Sequence, residues 1–246
     1  MTRPRRLILA VCSAFALLAA SLVVSSPTTA HADDFCAYED TTLPTITGFG
    51  PDTVTLGITS KPVRFTVDAT DECGIAGWSI DTPDRFLFFV YKQSPKDRVY
   101  PFRNRDAGPT AADIWVQDQA YNIATRRLTF QLLRETRWRN AAAVPDRVDE
   151  GDRVRIRGTL QRADWEKNAY VRFGGSTERA TVQFKARGTD TWVSVKTVDF
   201  SDKIGRISTP LSVRGDLARD GWYRLRFAGS ATSSASVSTP EYVDVR

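Results

Sequence analysis

The chain reads as an all-β protein, two antiparallel β-sandwiches in tandem behind a cleaved export segment. Three observations point there. Apolar and charged residues alternate with period two in many short runs. Clusters of Gly, Asp, Asn and Pro separate those runs as turns would. Beyond the first 32 residues no stretch carries a long apolar repeat at helical spacing.

The export segment comes first. Arg3, Arg5 and Arg6 precede an apolar run from Leu7 to Val24, a polar spacer from Ser25 to Thr29, and the tripeptide Ala30-His31-Ala32. This is the layout of a signal peptide over residues 1–32, with small residues where signal peptidase cuts, so a mature chain starting at Asp33 is expected. A retained anchor is the alternative, because about 18 apolar residues approach the length of a membrane span. Arg5-Arg6 is a fragment of a twin-arginine signal and leaves the export route open. Cleavage removes the single histidine, Cys12 and three arginines but no acid, so the formal net charge falls from +5 to +2. The expected product is secreted and extracellular, without membrane attachment.

Mixed-sign charge over 26% of residues suits a wet surface. No segment interleaves basic and aromatic residues as a nucleic-acid site does, and Arg134, Arg137 and Arg139 read as a solvated linker. The mature chain keeps Cys36 and Cys73, which an oxidising compartment should join as a disulfide. Closing that loop contributes about 4 kcal/mol in the chain-entropy description.

About 214 mature residues fit two domains, expected at 33–137 and 138–246. In the first, Val54 and Leu56, then Val63, Phe65 and Val67, alternate with polar residues. Phe86 to Tyr91 is apolar on both faces and reads as a central strand, while Gln93 to Pro109 reads as a loop. Leu128 to Leu133 reads as a last strand, and Asn140 to Asp146 as a linker. In the second domain, Val154 and Ile156 alternate with Arg153, Arg155 and Arg157, and Val182, Phe184 and Ala186 with Gln183, Lys185 and Arg187. Val193 and Val195 are expected inward, with Trp192, Ser194 and Lys196 outward. Tyr223, Leu225 and Phe227 oppose Trp222, Arg224 and Arg226, as a sheet wet on one side requires.

The last hundred residues carry Gly151 to Leu160, Asp164-Trp165, Val182-Gln-Phe184, Trp192 with Val193 and Val195, Gly205, Asp220 to Gly229 and a closing Tyr242 to Arg246. With these residues the region resembles a repeat module of secreted actinobacterial proteins, an immunoglobulin-like β-sandwich often described as calcium-binding. Tyr223 stands where such modules usually carry an inward Trp. The first domain, with Asp68-Ala-Thr70-Asp71, Gly74-Ile75 and Asp118-Gln-Ala120-Tyr-Asn122, is similar to another bacterial immunoglobulin-like type, with Tyr121 in place of the usual Gly. These resemblances imply two tandem immunoglobulin-like sandwiches and speak to fold more than to activity.

Without histidine the mature chain builds no Ser-His-Asp, Cys-His or histidine-zinc centre. Hydrolysis by paired carboxylates, as in a small extracellular carbohydrate-active hydrolase, is the competing class. Against it, nearly all residues go into sandwich cores and no insertion is long enough for a cleft. Asp68, Asp71, Glu72, Asp118 and Asn122 would converge at one pole if the resemblance holds, offering calcium its oxygen ligands. The same residue types equally close turns. Asp149-Glu150-Gly151-Asp152 lacks the ligand spacing of an EF-hand loop and reads as a turn.

Trp192 and Trp222 are expected on the polar side of their strands beside Lys196, Arg224 and Arg226. There an indole stacks on a sugar ring or a partner's surface, or else lies under an arginine. The resulting expectation is a non-catalytic binding or structural module with no cofactor except a possible calcium ion. Its partner is an unknown extracellular protein or cell-wall glycan.

Overall fold

The computed structural model describes residues 40–82, 89–90, 96–101, 103–174, 178–200 and 205–246. The export segment, Cys12, His31 and Cys36 lie outside the described residues, as does most of the apolar run from Phe86. Among the described residues no helix is long and apolar enough to cross a membrane.

The first half contributes β1 (Thr45–Gly50), β2 (Thr53–Leu56), β3 (Lys61–Arg64), β4 (Thr66–Thr70), β5 (Ile75–Asp81), β6 (Phe89–Val90), β7 (Lys96–Val99), β8 (Gly108–Asp118) and β9 (Ile123–Arg134). One sheet runs β2-β9-β8-β5-β6, with β1-β4 and β3-β7 as antiparallel pairs. Part of the expected loop from Gln93 to Pro109 is therefore structured. Lys96–Val99 pairs with β3, Asn104–Asp106 forms a 3-10 turn, and Gly108 already opens β8. Period two holds along β8, where Ala112, Ile114 and Val116 are buried, with Trp115 between the last two partly exposed.

The second half contributes β10 (Thr136–Val144), β11 (Arg147–Val148), β12 (Arg153–Asp164), β13 (Ala169–Arg172), β14 (Arg179–Ala186), β15 (Val193–Asp199), β16 (Arg206–Ser212), β17 (Gly221–Phe227), β18 (Ser236–Val237) and β19 (Glu241–Val245). In one sheet β12 is central, flanked by β10 on one side and paired on the other with β16 along Arg153–Thr159 and with β13 along Gln161–Asp164. The other runs β11-β19-β17-β14-β15, with β18 also on β17. Val154, Ile156, Leu160, Val182, Phe184, Tyr223, Leu225 and Phe227 fill the space between the sheets. Gly158 has no room for a side chain: a Cβ would lie 2.6 Å from Leu225 Cδ1 and 3.3 Å from the Trp138 ring.

Three expectations change. Asn140 to Asp146 is not a linker, since β10 runs to Val144 and absorbs Asn140, at φ 52°, in a bulge against β12. Val193 stands opposite Phe184, on the inward side as expected, yet is exposed at the start of the edge strand β15; the ladder slips between Val182 and Gln183, and Val195 still packs on the core. That slip removes Lys196 from the tryptophan side, and its Nζ reaches the Pro210 carbonyl on the opposing sheet at 3.1 Å.

Glu135 is the one residue between β9 and β10. Around it the halves interlock. Ala163 and Trp165, from the far end of β12, are buried in the hydrophobic cluster of the first half. The Asn104 side chain donates to Asp164 Oδ1 at 2.8 Å and accepts from the Trp165 N–H at 2.9 Å. Arg134, expected in a solvated linker, is buried, its Nε donating to the Ala163 carbonyl at 2.7 Å. Tyr170 donates to Glu135, while Arg137 lies over the Tyr170 ring at 3.6 Å. Burial lowers the Arg134 pKa, with Asp164 and Glu166 working the other way. Burial alone would raise the Asp164 pKa; hydrogen bonds from Asn104 and the Lys167 N–H, with Lys167 and Arg134 nearby, bring it below the usual carboxylate value.

Candidate functional site

Register places a row of rings and cations on the outer side of β14, β17 and β19. Lys185 stands opposite Trp222, which stands opposite Tyr242, and Gln183 stands opposite Arg224. Trp222 and Tyr242 contact each other with ring centroids 5.2 Å apart. The Lys185 ammonium lies 5.0 Å from the Trp222 ring and 5.6 Å from that of Trp192, which precedes β15. The Arg224 guanidinium covers the Trp192 ring at 3.9 Å, and its Nε donates to Gln183 Oε1 at 2.9 Å.

Burial, and then the neighbouring Arg226, lower the Arg224 pKa. Arg187 and Asp220 frame the row, 3.4 Å apart. Burial, and then a bond to Asp220, raise the Tyr242 pKa. Cation–π contacts of this kind fix the positions of the rings. Arg226 is exposed at the end of the row.

Lys185 and Tyr242 belong to this row but not to the residues singled out in the sequence. Alternation puts each on the outer side of its own strand. What it does not reveal is the pairing of β17 with both β14 and β19, which brings the three strands level.

The acidic residues do different work. Asp118 is buried at the end of β8, and its carboxylate accepts from the Asn122 N–H at 2.8 Å and from the Asn122 side-chain amide at 2.9 Å. The same amide donates to the Asp40 carbonyl. Between them Tyr121 takes φ 70°, where glycine is usual. Asp71 accepts from the Cys73 N–H at 2.8 Å. Oxygens of Asp40 and Asp71 and the Cys73 sulfur lie within 4.8 Å of one another. Asp68 is exposed on β4, with its carboxylate over Gly48. Asp118 and Asn122 thus close a turn, and Asp71 closes another beside it.

A crevice between β10 and β17 is lined by Ala141, Ala143, Ile156, Tyr223, Ser238 and Glu241, among others. Glu241 is its single carboxylate, whereas hydrolysis by paired carboxylates needs two facing acids.

No protein-family model and no curated protein matches the chain. Among solved structures it is similar to three N-terminal domains of the bacteriophage RB49 highly immunogenic outer capsid protein, at 11% identity and TM-score 0.32, over 82% of this chain and 71% of that one. Murine CEACAM1b gives 11% identity and TM-score 0.32 over 82% and 100%. The immunoglobulin domains 1–5 of Sidekick-1 give 11% and 0.27 over 82% and 40%. Likenesses this distant carry no argument about ligands. The all-β class itself rests on the strands and sheets described above.

Proposed function

We propose that the chain is a secreted, non-catalytic binding module of two tandem immunoglobulin-like sandwiches, 33–137 and 138–246, that contacts its partner through the outer side of the β14-β17-β19 sheet. The observation carrying this reading is the row Trp192, Lys185, Trp222 and Tyr242 with Arg224 and Arg226 beside it. Rings held in place by cations form an amphipathic strip of the kind that contacts a sugar ring or a protein surface. Export is supported by the segment ending Ala30-His31-Ala32. A Cys36–Cys73 bond is supported by the oxidising compartment that export implies. The interlocked seam suits a module that presents one face in a constant orientation.

Retention on insoluble cell-wall polysaccharide and on chitin tests the glycan form of this reading. Wild-type protein is expected to be retained, and Trp222→Ala to wash through with its melting temperature kept. Wild-type protein that is not retained removes the glycan form. A Trp222→Ala variant that is retained like wild type removes the aromatic face.

A further inference from the structure

The sheet of β10, β12, β13 and β16 contains eight arginines, no lysine and one acid, Asp164. Asp164 is buried and bound to Asn104, and Arg162 turns inward over the Phe173 ring. The other seven arginines are exposed. Three of them, Arg153, Arg155 and Arg157, alternate along the outer side of the central strand β12, about 6.7 Å apart. Their cross-strand neighbours are small or uncharged: Ser212 beside Arg153, Pro210 and Val144 beside Arg155, Ser208 and Ala142 beside Arg157. Farther along, Arg139 and Arg206 flank Thr159, and Arg137 and Arg172 flank Gln161. The positive strip extends about 26 Å from the level of Arg153 to that of Gln161.

Folding alone does not account for this strip. Among the described residues Arg139, Arg153, Arg155, Arg157 and Arg172 make no ion pair. Like charges at such spacing repel, so the row opposes folding rather than helping it. Charges often protect an exposed sheet edge from pairing, but β12 is paired on both sides and has no free edge.

We infer that this face docks a linear acidic polysaccharide whose carboxylates sit on the β12 arginines. Planar guanidinium forks match carboxylates in two-point contact. Between them Thr159, Gln161, Ser208 and Ser212 present hydroxyl and amide groups to sugar hydroxyls, as a polymer alternating charge and hydroxyl requires. Nucleic acid fits less well. The bases of a single strand need free rings to stack on, and the Tyr170 ring on this face is covered by Arg137, while a duplex is the rival that the test includes. A membrane surface fits less well too, since the face offers no apolar stripe to insert. The inference does not use the tryptophan row on the opposite sheet.

Affinity electrophoresis in gels containing polygalacturonate, neutral dextran or a short DNA duplex tests it. Wild-type protein should be retarded by polygalacturonate, less so at high salt, and not by dextran. The variant Arg153→Gln/Arg155→Gln/Arg157→Gln, changed only at exposed positions, should bind at least about tenfold more weakly with its melting temperature kept. Lys61→Gln/Arg64→Gln/Arg127→Gln removes the same charge from exposed positions in the first half and should bind polygalacturonate as wild type does. Absence of retardation, equal loss in both variants, or tighter binding of DNA than of polygalacturonate overturns the inference. If Lys185→Gln/Arg224→Gln/Arg226→Gln on the aromatic face loses binding while the β12 variant keeps it, the polymer belongs to the tryptophan row and the arginine face falls.

Discussion

The two halves close their cores in different ways. The second half fills its sandwich with its own strands, from Ala143 on β10 to Val243 on β19. The first half closes around Ile114, Phe130 and Leu132 but also around Ala163 and Trp165, which the second half supplies. The difference teaches that the chain is not two independent beads. Burying Trp165 away from its own sandwich ties the stability of the first half to the presence of the second.

The largest expected effect breaks that tie. Trp165→Ala removes a side chain that is 5% exposed and should cost about 3–5 kcal/mol, felt in the first half although the substitution lies beyond β12. Leu225→Ala in the second core should cost about 2–5 kcal/mol and be felt there. Hydrogen exchange separates the two. In Trp165→Ala, amides of β8 and β9 should exchange faster while those of β14 and β17 stay protected. Faster exchange confined to β12, β14 and β17 would show that the first half closes without Trp165.

The same contrast explains what could be read from residues alone. The second half was legible because its strands are wet on one side, so Tyr223, Leu225 and Phe227 against Trp222, Arg224 and Arg226 announce both face and period. The ladder slip at Val182/Gln183 was not legible, because a bulge changes the register without changing the alternation on either side. It took Lys196 from the tryptophan face. The seam was hidden for another reason. Asn140-Ala-Ala-Ala-Val-Pro has linker composition, yet β12 pairs with it, and nothing local to Arg134 says that its guanidinium will find the Ala163 carbonyl. The arginine row lay in plain view as alternation, but a row becomes a face only when β10 and β16 flank β12 without an acid.

Two tyrosines, Tyr170 half-buried and Tyr223 buried, sharpen the comparison at smaller scale. Tyr170, at the seam, has its hydroxyl bonded to Glu135; Tyr223, in the second core, has a hydroxyl with no partner among the described residues. The pKa of each is pushed up to about 12: for Tyr170 by burial and then by Glu135, for Tyr223 by burial alone. A raised tyrosine pKa favours the folded state in full below the unfolded value of about 10, and that contribution is lost as pH climbs from there through about 12. Tyr223→Phe removes an unpartnered buried hydroxyl and should raise stability by up to about 1 kcal/mol. Tyr170→Phe should lower it by about 1 kcal/mol. Denaturant melts at pH 7 read the opposite signs. Melts between pH 9 and 12 should show less alkaline loss in either variant than in wild type. Destabilisation by Tyr223→Phe would mean that its hydroxyl has a partner.

The smallest effect concerns calcium. Both Asp118 oxygens already accept from Asn122, and Asp71 accepts from the Cys73 N–H. An ion using Asp118 would compete with bonds that hold the β8–β9 turn, in which Tyr121 already sits at φ 70°. Ligand binding raises the melting temperature only by the free energy gained over the unbound fold, so an ion that must displace such bonds gains little. Millimolar calcium is therefore expected to move the melting temperature by less than about 1 °C. A melting temperature that climbs with calcium concentration, and no longer does so in Asp71→Asn, would instead assign the pole at Asp40 and Asp71 to the cation. The first half would then be held at one end by an ion and at the other by Trp165, with the second half needing neither.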